Sequence, residues 1–267
     1  MQHPETPAPP RSHALVIMAK APVSGAVKSR LVPPLMPAEA AELNRCFIRD
    51  VCASIEAAAA SVAAASGARV AGLVAYAPLG MQASFGGLLP ASFALIAQRG
   101  DGLTERLINV ANDLFGAGYE SVALMNSDSP TIPSSILSEA VAQLARPGDR
   151  IAIAPADDGG YCLIGLKRPH WRIFEGIAWS TAAVLAQTLE RAAELGVEVA
   201  RMPSWYDIDD AASLRRIVAE LFGDRLPTDA PARMPTEMKG FAAPATRAWL
   251  SHALAGGLTD RLRIRYQ

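Results

Sequence analysis

Short apolar runs alternate with helix-spaced stretches along most of this chain, and that alternation restricts the available folds more than any single motif. The segments "ALVIMA" (14–19), "RVAGLVAY" (69–76), "FALIAQ" (93–98), "SVALMN" (121–126), "RIAIAP" (150–155), "YCLIGL" (161–166) and "VEVARM" (197–202) read as strands. Residues 37–65 form an Ala-rich stretch in which Leu43, Phe47, Val51, Ile55 and Val62 recur at helical spacing; Pro37 suits a first helical position and Gly67 a stop. Residues 103–115 set Leu107, Val110 and Leu114 on one face. Ser134 or Ser135 is expected to cap a helix to about Leu144, Ser180 or Thr181 one reaching Leu195, and 210–222 form a further helix. The alternation predicts a mainly parallel twisted sheet with helices on both faces, a three-layer α/β/α sandwich. "ADDGG", between residues 150–155 and 161–166, carries turn chemistry and predicts an antiparallel element, either a hairpin or a strand–loop–strand excursion. Such folds place their sites at the carboxyl ends of strands.

Domain limits follow from the ends of this pattern. Residues 1–13, "MQHPETPAPPRSH", are Pro-rich without an apolar core and read as a disordered leader. Residues 14–224 read as one domain, and 225–267 as a linker and tail with one last helix over 244–255. The formal net charge of −1 excludes a bulk basic field, so no nucleic-acid partner is expected and any anion site must be local. No apolar run is long enough for a membrane span. Three cysteines without a CxxC argue against a disulfide framework or zinc site, and a cytoplasmic setting is expected.

Four motifs sit where strands end. "AKAPVSGAVKSRL" (19–31) leaves the first strand with Pro22 stiffening the exit, Gly25 permitting a tight turn, and Lys20, Lys28 and Arg30 able to converge on a polyphosphate. The competing reading is a solvated surface loop. "MNSDSP" (125–130) puts Asp128 just past a strand, a position suited to Mg²⁺ or Mn²⁺; alternatively Asp128 closes an Asx turn. "PADDGGYCLIG" (155–165) combines two acids with two glycines that allow close backbone approach to a ligand, and Tyr161 beside them; otherwise it is a plain turn. In "WYDIDDAASL" (205–214), Asp207 and Asp209 alternate across an extended segment and one of them is a candidate second metal ligand, while Asp210 reads as a helix cap. Trp179 in "IAWST" can stack on a base or sugar or serve packing, and Asp101 in "GDGLTERL" can cap a helix.

In this order, "AKAPVSGAVKSRL", "GDGLTERL", "NSDSP", "PADDGGYCLIGL", "WST" and "DIDD" resemble a bacterial family of GT-A-fold transferases, glycosyltransferase-like and long catalogued as a domain of unknown function. The chain is also distantly similar to the guanylyltransferases that build the phospholactyl side chain of the deazaflavin coenzyme. The resemblance covers roughly Leu15 to Leu221. It implies that Lys20, Lys28 and Arg30 hold phosphates, and Pro22, Gly25, Asp101 and Ser127 are expected on the same nucleotide side. It implies metal ligation by Asp128 with Asp207 or Asp209, and an acceptor side of Asp158, Gly159, Gly160, Tyr161, Trp179, Ser180 and Thr181. Ser29 stands where the family more often has Thr, Asn126 where Gly is common, and "SDS" replaces the DxD of many glycosyltransferases.

Two reactions fit that implied site. One is nucleotidyl transfer from an NTP to a small phosphorylated acceptor, with Lys28 and Asp128 as the central groups and no strong base needed. The other is glycosyl transfer from an NDP-sugar, with Asp158 as the candidate base. Both call for Mg²⁺ or Mn²⁺. Three cations at the first strand's exit favour nucleotidyl transfer on charge balance. A non-catalytic nucleotide sensor is the third reading, and a homodimer is compatible with all three.

Overall fold

The computed structural model describes residues 12–223 and 238–262. Seven strands form one sheet: β1 (Ser12–Lys20), β2 (Arg69–Ala77), β3 (Ala94–Ala97), β4 (Ser121–Asn126), β5 (Arg150–Pro155), β6 (Tyr161–Leu166) and β7 (Glu198–Arg201). Their order is β3-β2-β1-β4-β6-β5-β7. All neighbours are parallel except at β6, which runs antiparallel to both β4 and β5. The "ADDGG" turn is therefore a hairpin connection, and it brings the start of β6 to the edge where the parallel strands end.

Among the described residues, six α-helices of ten residues or more cover the sheet: α1 (Pro37–Ser66), α2 (Leu103–Gly116), α3 (Ser134–Ala145), α4 (Val184–Glu194), α5 (Ala211–Phe222) and α6 (Pro244–Ala253). Strand residues alternate between two cores, as a pleated sheet covered on both faces requires. Leu15 and Ile17 of β1 pack with Phe47, Val51 and Ile55 of α1 and with residues of α3, α5 and α6. Ala14 and Val16 face the other way, onto Leu107, Val110 and Leu114 of α2 and Ala192 of α4. This is the three-layer sandwich that the alternation predicts.

Several element starts differ from the sequence reading. β1 begins at Ser12, inside the stretch read as leader; residues 1–11 lie outside the described residues. Gly102, not Asp101, precedes α2, and the Asp101 N–H donates to Glu105 Oε2 at 2.8 Å, so the helix end is closed from within its first turn. Pro133 precedes α3 and neither serine caps it. α4 starts at Val184 because Ser180 adopts a left-handed turn at φ 64° and Thr181 Oγ1 donates to Ala178 O at 2.7 Å, closing that turn before the helix begins. Asp210 does cap α5, accepting the Ser213 N–H at 2.8 Å.

The expected linker, from residue 225 on, lies mostly outside the described residues. Beyond it, the Phe241 N–H donates to Thr131 O at 2.8 Å. The N–H groups of Ala245 and Thr246 at the start of α6 donate to the buried carboxylate of Asp50 in α1, at 2.9 and 2.7 Å. Leu250, Leu258 and Leu262 complete that side of the core. Phe241 docks one residue after Gly240, whose added Cβ would lie 3.2 Å from Trp205 Cζ2 and from Thr131 O. The last described segment thus braces the chain stretch that carries Asp207 and Asp209.

Candidate active site

The carboxyl ends of β1, β4 and β5 and the start of β6 meet at one edge. The segment 205–210 crosses that edge as extended chain, pinned at two points. Trp205 N–H donates to Pro155 O at 2.9 Å, and Ile208 N–H donates to Asp128 O at 2.8 Å. Ile208 is fully buried, so its neighbours Asp207 and Asp209 turn to the other side, toward the open edge. One backbone hydrogen bond therefore sets the two acids beside Asp128.

Lys28 ties this arrangement together. Its side chain is 5 % exposed, and Nζ lies 2.9 Å from Asp128 Oδ2, 2.9 Å from Asp209 Oδ1 and 2.7 Å from Ile208 O. The Phe47 ring lies beneath it, 5.6 Å from Nζ to centroid. The two carboxylates hold the lysine's pKa up against the opposing effect of burial, so the group is cationic. The other oxygen of Asp128 accepts from Ser127 Oγ at 2.8 Å, and Arg30, 67 % exposed, reaches Asp209 Oδ2 at 3.5 Å.

Two cavities flank this knot. The smaller, about 310 Å³, is lined by Lys20, Lys28, Ser29, Arg30, Asn44, Ser127, Asp128 and Asp209 among others. Three cations face two carboxylates there. The larger, about 380 Å³, has an apolar floor of Leu107, Met125 and Ile164, with Asp158, Gly160, Tyr161, Trp179, Ser180, Thr181, Asp207 and Asp209 around it. Arg30 lines both cavities. A third hollow, of about 250 Å³, continues past Asp158 and Asp207 to Arg216, which pairs with Asp157 at 2.7 Å.

The residues named from sequence are mostly brought together, on two sides of Asp209. Lys20, Lys28, Arg30, Ser127 and Asp128 share the smaller cavity, and Asp158, Gly160, Tyr161, Trp179, Ser180 and Thr181 the larger. Pro22, Gly25 and Asp101 line none of these three cavities. Gly25 does adopt the expected turn, with φ 78°. Gly159 approaches protein, not an open cavity: an added Cβ would lie 2.7 Å from Ala182 Cα, and Leu185 N–H donates to Gly159 O at 2.8 Å. Asp158 Oδ1 accepts the Gly160 N–H at 2.9 Å, an Asx turn that orients its carboxylate. Trp179 Nε1 donates to Thr104 Oγ1 at 2.8 Å and its ring meets Tyr161 edge-on, so packing and cavity lining coincide in one residue.

Sequence reading missed Asn44. It is 3 % exposed and its Oδ1 is without a partner, at the wall of the smaller cavity. The available signal was an amide in a helix otherwise rich in Ala and core hydrophobes.

The donor set suits a hard divalent cation in chemistry, since Asp128, Asp209 and the Ile208 carbonyl offer only oxygen. Among the described residues, however, no group of three or more His, Cys, Asp or Glu side chains is arranged to hold a metal. Asp207 stands apart from the Lys28 pair. Burial, then the charges of Asp209, Asp158 and Asp128, push its carboxyl up from 3.8 to about 7. Its protonated form thus stabilises the fold fully below about pH 4, and that stabilisation is lost as pH rises through about 7. In metal-free buffer, the melting temperature of Asp207→Asn should gain on that of the wild type between pH 5 and pH 8. A constant difference across that range would contradict the upward shift that burial and the neighbouring acids impose.

Comparison with known proteins agrees with this fold. Residues 58–181 match the family described as "Uncharacterized protein conserved in bacteria (DUF2064)", which bears out the resemblance to that bacterial family over the span from α1 to "WST". The β1 exit and "DIDD" lie outside the matched span. A search among curated proteins gave no match. A crystal structure from Desulfovibrio desulfuricans G20, described as a candidate nucleotide-diphospho-sugar transferase, is 27 % identical with a TM-score of 0.69, covering 95 % of this chain and 97 % of that one. A cytidylyltransferase from Leptospira borgpetersenii serovar Hardjo-bovis is similar in fold alone, at 10 % identity and a TM-score of 0.51, covering 92 % of this chain and 95 % of that one. The chain has the nucleotide-diphospho-sugar transferase fold. Among the described residues no helix is long and apolar enough to cross a membrane.

Proposed function

We propose that this protein is a metal-dependent, nucleotide-utilising transferase that moves a nucleotidyl group from an NTP to a small phosphorylated acceptor and releases pyrophosphate. The observation that carries this reading is the basic edge formed by Lys20, Lys28 and Arg30, with Arg30 shared by both cavities. Two anionic reactants meeting at Asp209 need cations on both sides of the junction; a neutral sugar hydroxyl does not. The similarity to a candidate nucleotide-diphospho-sugar transferase supports the broader class, a transferase that uses nucleotides.

On this reading the nucleotide's phosphates lie in the smaller cavity against Lys20, Lys28, Arg30 and Ser127, and the acceptor lies in the larger one between Trp179, Tyr161 and Thr181. Asp128 and Asp209 would hold Mg²⁺ or Mn²⁺, whose positive charge would offset that of the departing pyrophosphate. An acceptor phosphate oxygen forms the new bond to the α-phosphorus as the bond to the β-phosphate oxygen breaks. The acceptor is already an anion, so positioning and charge neutralisation supply the catalysis. Lys20 and Arg30 orient the chain of phosphates, while the apolar floor of the larger cavity excludes water from the acceptor side.

Glycosyl transfer is the second reading, favoured by the Desulfovibrio neighbour and by Asp158, whose carboxylate lines the acceptor cavity where it can take a hydroxyl proton. The two separate by product. A panel of NTPs with phosphorylated acceptors and Mg²⁺ or Mn²⁺ should release pyrophosphate. Release of a nucleoside diphosphate from an NDP-sugar, without pyrophosphate from any NTP, would move the assignment to glycosyl transfer. Nucleotide-dependent stabilisation without turnover of either kind would leave a binding protein.

A further inference from the structure

We propose that the Lys28 ammonium is a placeholder for the divalent cation: in the nucleotide-free protein it fills the oxygen cradle of Asp128 and Asp209, and it must leave before that cradle can take a metal ion. This inference rests on the transferase reading above, but its test does not require turnover.

The cradle is built from Asp128 Oδ2, Asp209 Oδ1 and Ile208 O, which accept from Nζ at 2.9, 2.9 and 2.7 Å. These three contacts account for the three donors of an ammonium. All three acceptors are hard oxygens and two are anionic, the donor chemistry that a divalent cation selects. A cation and Lys28 therefore compete for the same atoms.

Lys28 also has somewhere to go. It lines the smaller cavity together with Lys20, Ser127 and Asn44, so an incoming phosphate there offers Nζ a new anionic partner. Its backbone sits at φ 52°, in the left-handed region that non-glycine residues rarely occupy. The chain thus holds a lysine in an unfavourable conformation from which its ammonium reaches both acids. Lys28 borders an open cavity as well as its two carboxylates.

The exchange couples two ligands. Phosphates that draw Lys28 out of the cradle free Asp128 and Asp209, so nucleotide raises affinity for the metal ion and, by linkage, the metal ion raises affinity for nucleotide. A divalent cation alone meets an occupied site. The device would keep the two carboxylates compensated between turnovers without binding free metal tightly.

The test uses Mn²⁺ alone as the probe, with its free concentration read from the electron paramagnetic resonance signal. Lys28→Met should bind Mn²⁺ at least about ten-fold more tightly than the wild type, the effect of removing one unit charge from the cradle. Lys28→Gln should behave likewise, and both should gain more melting temperature from Mn²⁺ than the wild type does. Equal or weaker Mn²⁺ binding by folded Lys28→Met or Lys28→Gln overturns the proposal. A measurement on the wild type covers the case in which both variants misfold. Reductive methylation of Lys28, followed by peptide mass spectrometry, should be slow without metal and faster when Mn²⁺ saturates the protein. A rate unmoved by saturating Mn²⁺ overturns the proposal. If the lysine variants gain Mn²⁺ affinity while no nucleotide binds, the placeholder stands and the transferase reading falls. If NTP turnover is found while Mn²⁺ affinity ignores Lys28, the reverse holds.

Discussion

Asp128→Asn should lower metal-dependent turnover by about a hundred- to a thousand-fold, the range seen when one preorganised charge-stabilising group is removed from an active site. The substitution keeps the shape of the side chain and an oxygen able to accept from Ser127, which now donates to Asp128 Oδ1 at 2.8 Å. It removes the negative charge that faces Lys28 at 2.9 Å and would face the metal ion in the loaded enzyme. The loss should appear in kcat more than in the KM for nucleotide, because Lys20 and Arg30 remain. Pyrophosphate release at saturating NTP and Mg²⁺ measures it. A variant within a factor of about three of the wild type would remove Asp128 from the machinery, since an effect that small corresponds to under about 1 kcal/mol of barrier.

Asp128→Asn is a cleaner probe of the chemistry than Lys28→Ala. From sequence alone, alanine at position 28 would cripple NTP use far more than fold stability. The structure changes that expectation, because Lys28 is nearly buried between Asp128 and Asp209. Deleting it leaves two neighbouring carboxylates without their counter-charge, so stability and activity fall together.

Gly159→Ala should be the most destabilising single-methyl change near the site, costing about 2–4 kcal/mol. Two causes act at once. The residue sits at φ 89°, where an L side chain is strained, and its Cβ would fall 2.7 Å from Ala182 Cα, a backbone atom that cannot rotate aside. Denaturant midpoints at constant m-value would measure the loss. The displaced wall carries Ser180, Thr181 and Ala182 of the larger cavity, so acceptor KM should rise in the fraction that stays folded. A variant as stable as the wild type would mean that the hairpin turn and the start of α4 are not in contact. Gly160→Ala is the control, because the atoms nearest its Cβ would be those of the Asp158 carboxylate, a side chain, from 3.1 Å.

The legible part of this protein is the part governed by local periodicity. Leu43, Phe47, Val51, Ile55 and Val62 read as one buried helical face, and all five are in the core. The seven apolar runs are the seven strands, to within two residues at most ends. Helix starts were less legible: Asp101, Ser134 and Thr181 each read as a cap and none of them caps its helix, although only Thr181 has its hydroxyl engaged elsewhere, by Ala178 O. The site was legible as a set of residue types at strand ends. Its internal pairing was not, and neither was Asn44, whose unpartnered oxygen has no signature in local spacing.

The sequence by itself determined the layers, the edge at which the chemistry-bearing residues gather, and the capping of α5 by Asp210, because each depends on residues a few positions apart. Only the tertiary structure decided what Lys28 does. Its contact with Ile208 O joins residues 180 positions apart, and it exists because one backbone bond, Ile208 N–H to Asp128 O, sets the phase of the segment that carries Asp207 and Asp209. A one-residue slip there would exchange buried Ile208 for the two acids and dissolve the knot. Charge counting along the chain gives three cations free for phosphate. Folding commits one of them to two carboxylates, since a buried ammonium must be paired, and that pairing turns a basic loop into a candidate metal–nucleotide switch.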